Sequence, residues 1–174
     1  MPDGKEYIMK NEILKLLEND ARLSDKQLAV MMNTDEATIR KEINALEESG
    51  TILAYKTIVD WEKTDLESVT AMIEVKLTPQ KERGFDRVAE KIYNYPEVQA
   101  VYLMSGAYDL SVLIEGKTMK EVAYFVSHKL STIESVISTA THFVLHKYKD
   151  KGEPCKRRND DQPHAPRGSH LRSR

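Results

Sequence analysis

Residues 24–50 decide the first half of the fold, and they read SDKQLAVMMNTDEATIRKEINALEESG. Ser24 and Gln27 have the spacing of a capping box, in which the serine hydroxyl accepts a first-turn N–H and the glutamine reaches back. They open a predicted short helix whose apolar face is formed by Leu28, Ala29, Met31 and Met32. After a polar turn, a second helix is predicted over residues 36–49, and Gly50 is placed to end it.

Another helix is predicted before this pair, because apolar residues recur at helical spacing from residue 8 onward. Three short helices joined by tight polar turns are typical of a helix-turn-helix domain, although a plain three-helix bundle has the same periodicity. The next residues, 51–59, are β-prone and predict a hinge strand that closes a first domain over residues 1–59. Polar residues 60–68 predict a linker.

Residues 69–149 predict a second domain of strands and helices. Apolar and polar residues alternate from Val69 to Leu77, as they do in a strand with one buried face. The predicted elements are a strand over residues 69–77, a helix over 80–95 with Phe85, Val88, Ala89 and Ile92 inward, strands over 98–104 and 110–114 joined by a hairpin at 105–109, a helix from the cap Thr118 to residue 130 with Val122, Ala123, Phe125 and Val126 inward, and a strand over 137–145 on which Ile137, Thr139, Thr141, Phe143 and Leu145 share one face.

The order βαββαβ is that of a ferredoxin-like domain, an antiparallel sheet with two helices on one face. The predicted fold class is therefore α+β, with an N-terminal helix-turn-helix (winged-helix-like) domain joined to a C-terminal ferredoxin-like domain. The sheet face without helices carries Met, Tyr and Thr among charged residues. This face must be either covered or exposed to water, and its Met, Tyr and Thr residues predict a partner sheet and hence a dimer.

Composition excludes several classes of protein. Hydrophobic residues make up 40% of the 174, far above a disordered chain. No apolar run has the length of a membrane span, and residues 1–6 lack the apolar segment of a secretory signal. Cys155 is the single cysteine, which excludes a disulfide within the chain. We expect a cytoplasmic protein without a membrane partner.

The charge is unevenly distributed along the chain. Residues 1–66 contain 9 Lys or Arg and 14 Asp or Glu, which gives −5, whereas residues 147–174 contain 9 and 4, which gives +5. An acidic first domain disfavours strong non-specific phosphate binding, but one basic face is enough for contact.

Residues 150–174 lack periodicity and predict disorder. Within them, residues 166–170 (PRGSH) resemble an expression-vector remnant, and Lys156–Arg158 form a less favoured basic arm.

Two short motifs occur in the order of a known family. Residues 46–53, LEESGTIL, close the second helix of the pair, and residues 106–109, GAYD, lie in the predicted hairpin. This succession resembles the Lrp/AsnC (feast/famine) transcription regulators, which carry Leu-Glu-x-x-Gly-x-Ile after the recognition helix and Gly-x-Tyr-Asp in a RAM-type domain. The resemblance implies binding to double-stranded DNA, a homodimer built through the sheets that assembles into tetramers or octamers, and an amino acid or similar effector bound near the hairpin.

With that resemblance, a set of polar residues becomes candidate DNA contacts: Lys26, Gln27, Thr38, Arg40, Lys41 and Asn44. Arg40 or Lys41 can contact guanine or phosphate, and Asn44 can bond adenine. Lys26 and Gln27 can clamp a phosphate, although Gln27 serves equally well as a cap. The family usually has arginine at the position of Glu42 and often a basic residue at Ala45, so contact by the middle of this helix is disfavoured.

The resemblance also gives candidate effector contacts: Gly106, Tyr108, Asp109, Thr139 and Thr141. Asp109 can accept an ammonium group, Tyr108 can wall a pocket, and Gly106 lets backbone approach a ligand closely. An ordinary β-turn also favours Gly106 and Asp109, and threonines suit a strand without any ligand.

No catalytic, cofactor or metal site is predicted. No His, Cys or Asp cluster has metal-ligand spacing, and nucleotide-binding and nucleophile motifs are absent. His142 and His146 are predicted as exposed sheet residues. We therefore predict a regulator that is not an enzyme. The alternatives are an enzyme similar to siroheme decarboxylases, which resemble this family in both domains and for which His142 is the candidate, and a co-regulator that oligomerises with a DNA-binding paralogue.

Overall fold

The computed structural model describes residues 4–78 and 84–155. The chain divides into two compact units, one ending at Ile58 and the other beginning at Val59. The described part of the first unit contains the helices α1 (Gly4–Asn19), α2 (Asp25–Met31) and α3 (Glu36–Glu48). Their shared core is formed by residues from all three helices: Ile13, Leu17, Leu28, Ala29, Ile39 and Leu46. The predicted helix-turn-helix is confirmed.

Local sequence sets where these helices begin and end. The predicted capping box of α2 is confirmed, because the Gln27 N–H donates to Ser24 Oγ (3.3 Å) and the Ser24 N–H donates to Gln27 Oε1 (2.9 Å). After α3, Gly50 adopts a φ of +69°, in the left-handed region that glycine enters without strain. The following N–H groups, of Thr51 and Ile52, both donate to the Leu46 carbonyl and close the helix end.

We expect Gly50→Ala to lower the free energy of unfolding by about 1 kcal/mol, because a Cβ strains left-handed backbone. Crowding adds nothing, since a Cβ at Gly50 would meet no atom within 4 Å. Gly106→Ala is the matched control, because Gly106 lacks a left-handed φ and its Cβ would also meet no atom within 4 Å. Urea denaturation measures both variants, and equal losses would contradict this explanation.

The second unit is built on one antiparallel sheet. Its strands lie in the order β2-β3-β1-β4 and a short hairpin follows them. The elements are β1 (Val69–Leu77), α4 (Gly84–Tyr93), β2 (Val98–Leu103), β3 (Leu110–Gly116), α5 (Met119–Phe125) continued by a π-helical turn (Val126–Leu130), β4 (Val136–Phe143), β5 (Lys149–Asp150) and β6 (Glu153–Pro154). The predicted βαββαβ order is confirmed, and with it the α+β fold class.

The core of this unit lies between the sheet and its two helices. Ile73 of β1, Val112 of β3, Ile92 of α4 and Phe125 of α5 are all completely or almost completely buried. Tyr95 meets the Phe125 ring edge-on, with centroids 5.5 Å apart. Burying one such side chain stabilises the fold by roughly 1.5–3 kcal/mol. This core therefore fixes the two central strands, β1 and β3, and the predicted effector hairpin enters β3 beside the end of β1.

Two predicted core residues are exposed. Met31 is 60% exposed, and Ala123 is also exposed. The buried residues are Leu28 and Ala29 in α2, and Val122 and Phe125 in α5. Because successive residues are about 100° apart around a helix axis, Met31 and Ala123 lie more than about 100° from the centres of these buried stripes. Periodicity over two turns did not separate these neighbours from the buried stripe, so both predictions were wrong.

Four further predictions differ from the structure. Residues 51–59 form no strand within the described chain, because no other strand pairs with them. The pairing of β1 with β4 shifts register at Lys76/Leu77, opposite the start of β4, and Ile137 is exposed there. Leu145 lies beyond the end of β4 and is 91% exposed. Residues 150–155 are not disordered, since β5 and β6 pair there. The predicted helix start at 80–83 and the tail from residue 156, with Lys156–Arg158, lie outside the described residues.

Candidate nucleic-acid interface and effector hairpin

The N-terminus of α3 is fixed by a side-chain cap. Asp35 Oδ1 accepts the Thr38 N–H (2.8 Å), and the Thr38 hydroxyl donates to Asp35 Oδ2 (2.6 Å). These bonds to the Thr38 hydroxyl and N–H lower the pKa of Asp35 below its ordinary value. Thr38 is therefore part of the cap, and its hydroxyl oxygen keeps only acceptor capacity for another partner.

Arg40 is held between two carboxylates. Its Nε donates to Asp25 Oδ2 and its Nη2 donates to Glu36 Oε1, each at 2.9 Å. The hydrogen bond to Asp25 and the charges of both carboxylates raise the pKa of Arg40 above its ordinary value. The Arg40 side chain is nevertheless 61% exposed. Asp25 opens α2 and Glu36 opens α3, so this cluster ties the starts of both helices to the middle of α3.

The other candidate DNA contacts differ in how they are engaged. Lys26, Lys41 and Asn44 are exposed. Gln27 uses Oε1 to accept from both the N–H and the hydroxyl of Ser24, at 2.9 and 2.8 Å. Gln27 is thus confirmed as a cap, and its amide nitrogen remains as a donor. Sequence reasoning missed Asp25 and Glu36, although the Glu36–Arg40 spacing of four residues is a signal for a helical ion pair.

Glu42 lies on the inner side of α3. Glu42 is only 8% exposed, and its Oε2 lies 3.5 Å from Lys10 Nζ on α1. The carboxylate therefore packs α3 against α1 and does not belong to the exposed face of the helix. This placement explains how the first unit accommodates an acidic residue where arginine is usual in the family.

We expect Glu42→Arg to lower the free energy of unfolding by about 3 kcal/mol, because it puts an uncompensated cation beside Lys10 in a nearly buried place. Adding Lys10→Glu restores a pair of opposite charges and should recover at least half of that loss. Glu48→Arg, at an exposed position of the same helix, is the control. Thermal denaturation would refute this role of Glu42 if the Glu42 and Glu48 variants were equally stable.

The hairpin between β2 and β3 is tied to the end of β1. Asp109 Oδ2 accepts the Leu77 N–H (2.7 Å), and the Asp109 N–H donates to the Val75 carbonyl (3.0 Å). Lys76 Nζ donates to the Ala107 carbonyl (2.9 Å). The register of β1 and β4 shifts at Lys76/Leu77, so Asp109 satisfies backbone beside an irregularity of the sheet. The carboxylate thus has a structural role that sequence reasoning did not assign.

The remaining predicted effector residues lie at separate places in the described part of the second unit. Gly106 is exposed, and Tyr108 is half-buried. Thr139 and Thr141 lie on β4, where they pair with Val75 and Ile73 of β1. Strand β1 separates β4 from β3 and the hairpin. Two cavities of the second unit, of about 210 and 490 Å³, are lined by none of these five residues.

The two strand histidines have different surroundings. His142 is exposed as predicted, and its Nε2 lies 3.5 Å from Glu74 Oε1. His146 is not an exposed sheet residue: it follows β4, and its Nδ1 lies 2.7 Å from Glu62 Oε2 with only 17% of the side chain exposed. A carboxylate beside His142 disfavours an acidic ligand there. Over residues 4–78 and 84–155 there is no cluster of three or more His, Cys, Asp or Glu placed to hold a metal ion.

Comparison with known families agrees with both units. A winged helix-turn-helix DNA-binding family matches residues 9–52, and the Lrp/AsnC ligand binding domain matches residues 70–154. The first match contains α2 and α3 with the Arg40 cluster. The second contains the sheet, apart from Val69 at the start of β1, and the hairpin. Within the described ranges, no helix has the length and apolar character needed to cross a bilayer.

Individual relatives cover most of the chain. The uncharacterized HTH-type transcriptional regulator YugG of Bacillus subtilis is 47% identical, over 88% of this chain and 93% of its own. HTH-type transcriptional regulator FL11 of Pyrococcus horikoshii is 32% identical, over 82% and 91%. Among solved structures, the transcriptional regulator NMB0573/L-Met complex of Neisseria meningitidis has a similar fold, with a TM-score of 0.66, 22% identity and coverage of 88% and 96%.

Proposed function

This chain belongs to the Lrp/AsnC family of DNA-binding transcription regulators, and we propose that it is a sequence-specific, homo-oligomeric member whose DNA binding responds to a small effector of the amino-acid class. The observation that carries the DNA part of the proposal is the exposed polar face of α3, on which Arg40, Lys41 and Asn44 stand. The relatives are named as transcriptional regulators, which supports a role without catalysis.

We place α3 in the major groove as the recognition helix. Its N-terminal half would then meet the base edges, with Arg40 or Lys41 on guanine or phosphate. Asn44, one turn after Arg40, would bond adenine. Thr38, at the cap, would accept from a base or a water molecule. Lys26 and the amide nitrogen of Gln27 would contact phosphate from α2.

The sheet face opposite the helices is our proposed dimer surface. Met72 and Tyr102 are 44% and 57% exposed on that face. Methionine and tyrosine are enriched at protein interfaces, so their exposure in a single chain supports a partner there. A second copy of the sheet would cover them by the same residues, as in a two-fold dimer. Two recognition helices related by this symmetry would read two half-sites.

The hairpin of residues 105–109 is our proposed effector contact. The second carboxylate oxygen of Asp109 would accept the ammonium group of an amino acid, and Tyr108 would cover its side chain. Thr139 and Thr141 lie two strands from the hairpin, on the side of the sheet that Val75 and Ile73 turn toward the helices. They would contribute from a subunit of a neighbouring dimer. The complex of NMB0573 with L-Met supports an amino acid as the chemical class of effector.

Selection of duplexes from a random-sequence library tests the DNA part. We expect an enriched motif of two half-sites in inverted orientation, with centres about 10 base pairs or a multiple of that apart. If the protein enriched no motif, sequence-specific binding would be contradicted. A motif without inverted symmetry would contradict the two-fold dimer.

Thermal denaturation with each of the twenty amino acids tests the effector part. A ligand at 100 times its Kd stabilises the folded state by about 2.7 kcal/mol, so the midpoint should rise by a few degrees. Gly106→Val should remove that rise by filling the space beside the hairpin, whereas Gly152→Ala, in the distant β5–β6 turn, should keep it. No rise with any amino acid would contradict an amino-acid effector.

A further inference from the structure

The cluster of Asp25, Glu36 and Arg40 leaves one defined edge of the guanidinium open. Nε and Nη2 point to the same side of the group, and these two nitrogens donate to the two carboxylates. A guanidinium has five N–H donors, so three remain, on Nη1 and on the outer side of Nη2. One N–H of Nη1 and the outer N–H of Nη2 are parallel and form a two-pronged edge, on a side chain that is 61% exposed.

The charge of the cluster selects between two nucleic-acid partners for this edge. Two carboxylates and one guanidinium carry a net charge of −1, in a unit that is acidic as a whole. A phosphate would therefore approach two anions within hydrogen-bond distance of the arginine, which weakens the attraction. The O6 and N7 atoms of guanine are neutral acceptors with the spacing of an arginine fork, so the same edge fits them without this penalty.

The position of the cluster on α3 supports the same choice. Glu36, Arg40 and Asn44 follow one another at intervals of four residues and therefore form one stripe along the helix. The carboxylate of Glu36 leads this stripe at the first residue of α3. Asp25 reaches the arginine from the first residue of α2, so both helices restrict the rotation of one side chain. An arginine restricted in this way loses less conformational entropy when it binds.

We propose that Asp25 and Glu36 are positioning residues that aim the free edge of Arg40 at guanine and reject the phosphate backbone. This inference rests on the proposed function. It makes the acidic character of the first unit part of its specificity: the carboxylates lower affinity for every sequence and lower it least where guanine meets Arg40.

Parallel selections with the wild type, Asp25→Asn and Glu36→Gln test the inference. The wild type should require guanine at one position of each half-site. Both variants should keep the rest of the motif, but their preference for guanine at that position should be roughly tenfold smaller. They should also bind a scrambled duplex several-fold more tightly, because each subunit loses one negative charge. Glu48→Gln is the control, since this exposed residue at the last turn of α3 removes the same charge away from Arg40. It should tighten non-specific binding without changing the guanine preference.

Base preference at one position separates positioning from a merely structural role, which would weaken all positions alike. An unchanged guanine preference in both variants, beside a clear wild-type motif, would overturn the inference alone and favour a phosphate contact. The absence of any wild-type motif would overturn the proposed function and the inference with it. Circular dichroism of each variant should give the helix content of the wild type, since neither substitution removes a core residue.

Discussion

An Arg40→Ala protein is expected to bind its selected duplex about 100-fold more weakly than the wild type. One arginine–guanine contact is worth about 1–3 kcal/mol, and the proposed dimer would make two such contacts. A loss of about 2.7 kcal/mol corresponds to a factor of about 100. Binding to a scrambled duplex should fall by no more than about threefold, because the surrounding carboxylates already weaken the phosphate attraction of this side chain.

Fluorescence anisotropy at one fixed salt concentration measures both duplexes. Arg22→Ala is the matched control, because it removes the same charge from an exposed residue in the turn before α2. It should lower affinity for both duplexes slightly and equally. If Arg40→Ala behaved like this control, Arg40 would not read the sequence.

A Met72→Arg protein is expected to be a monomer. Met72 lies in the middle of β1 on the helix-free face, opposite Leu113 of β3 and His142 of β4. An arginine there would be buried without a dedicated partner between two sheets, which costs several kcal/mol at each symmetric position. The dissociation constant of the dimer should rise at least roughly 1000-fold. DNA affinity should also fall, because a monomer carries one recognition helix and can contact only one half-site at a time.

Analytical ultracentrifugation over a range of protein concentrations measures this effect. Met119→Arg is the control, because Met119 is 56% exposed at the start of α5. That variant should keep the mass of the wild type. A Met72→Arg protein that kept the same mass would show that the helix-free face is not the dimer surface.

Local patterns in the sequence predicted most of the elements of this fold. The cap residues Ser24 and Thr118 are found at the helix starts where the sequence placed them. The alternation from Val69 to Leu77 gave the central strand with its buried face. Each of these signals is contained within a few residues, so no knowledge of the rest of the chain is needed to interpret it.

The contacts that define the candidate site could not be predicted in the same way. Asp25 and Arg40 are 15 residues apart, and Asp109 and Leu77 are 32 apart. Both contacts exist only because the helices and strands pack as they do. Sequence therefore identified Arg40 and Asp109 as chemically apt residues, but it did not show that each one already has partners.

The strand predicted over residues 51–59 differs for another physical reason. Its β-branched and aromatic residues have the composition of a strand, yet a strand needs a neighbour for its backbone hydrogen bonds. The described part of this chain supplies none. Composition alone does not say whether such a neighbour belongs to the same chain.

Sequence-specific, effector-dependent DNA binding is tested by the affinity of the protein for DNA from upstream of its own gene. Anisotropy titrations at one moderate salt concentration, against a scrambled duplex of the same composition, give the specificity ratio. We expect the protein to prefer the upstream DNA by at least about 100-fold, and an amino-acid mixture to shift that preference. Equal affinity for the two duplexes, with and without amino acids, would contradict this expectation.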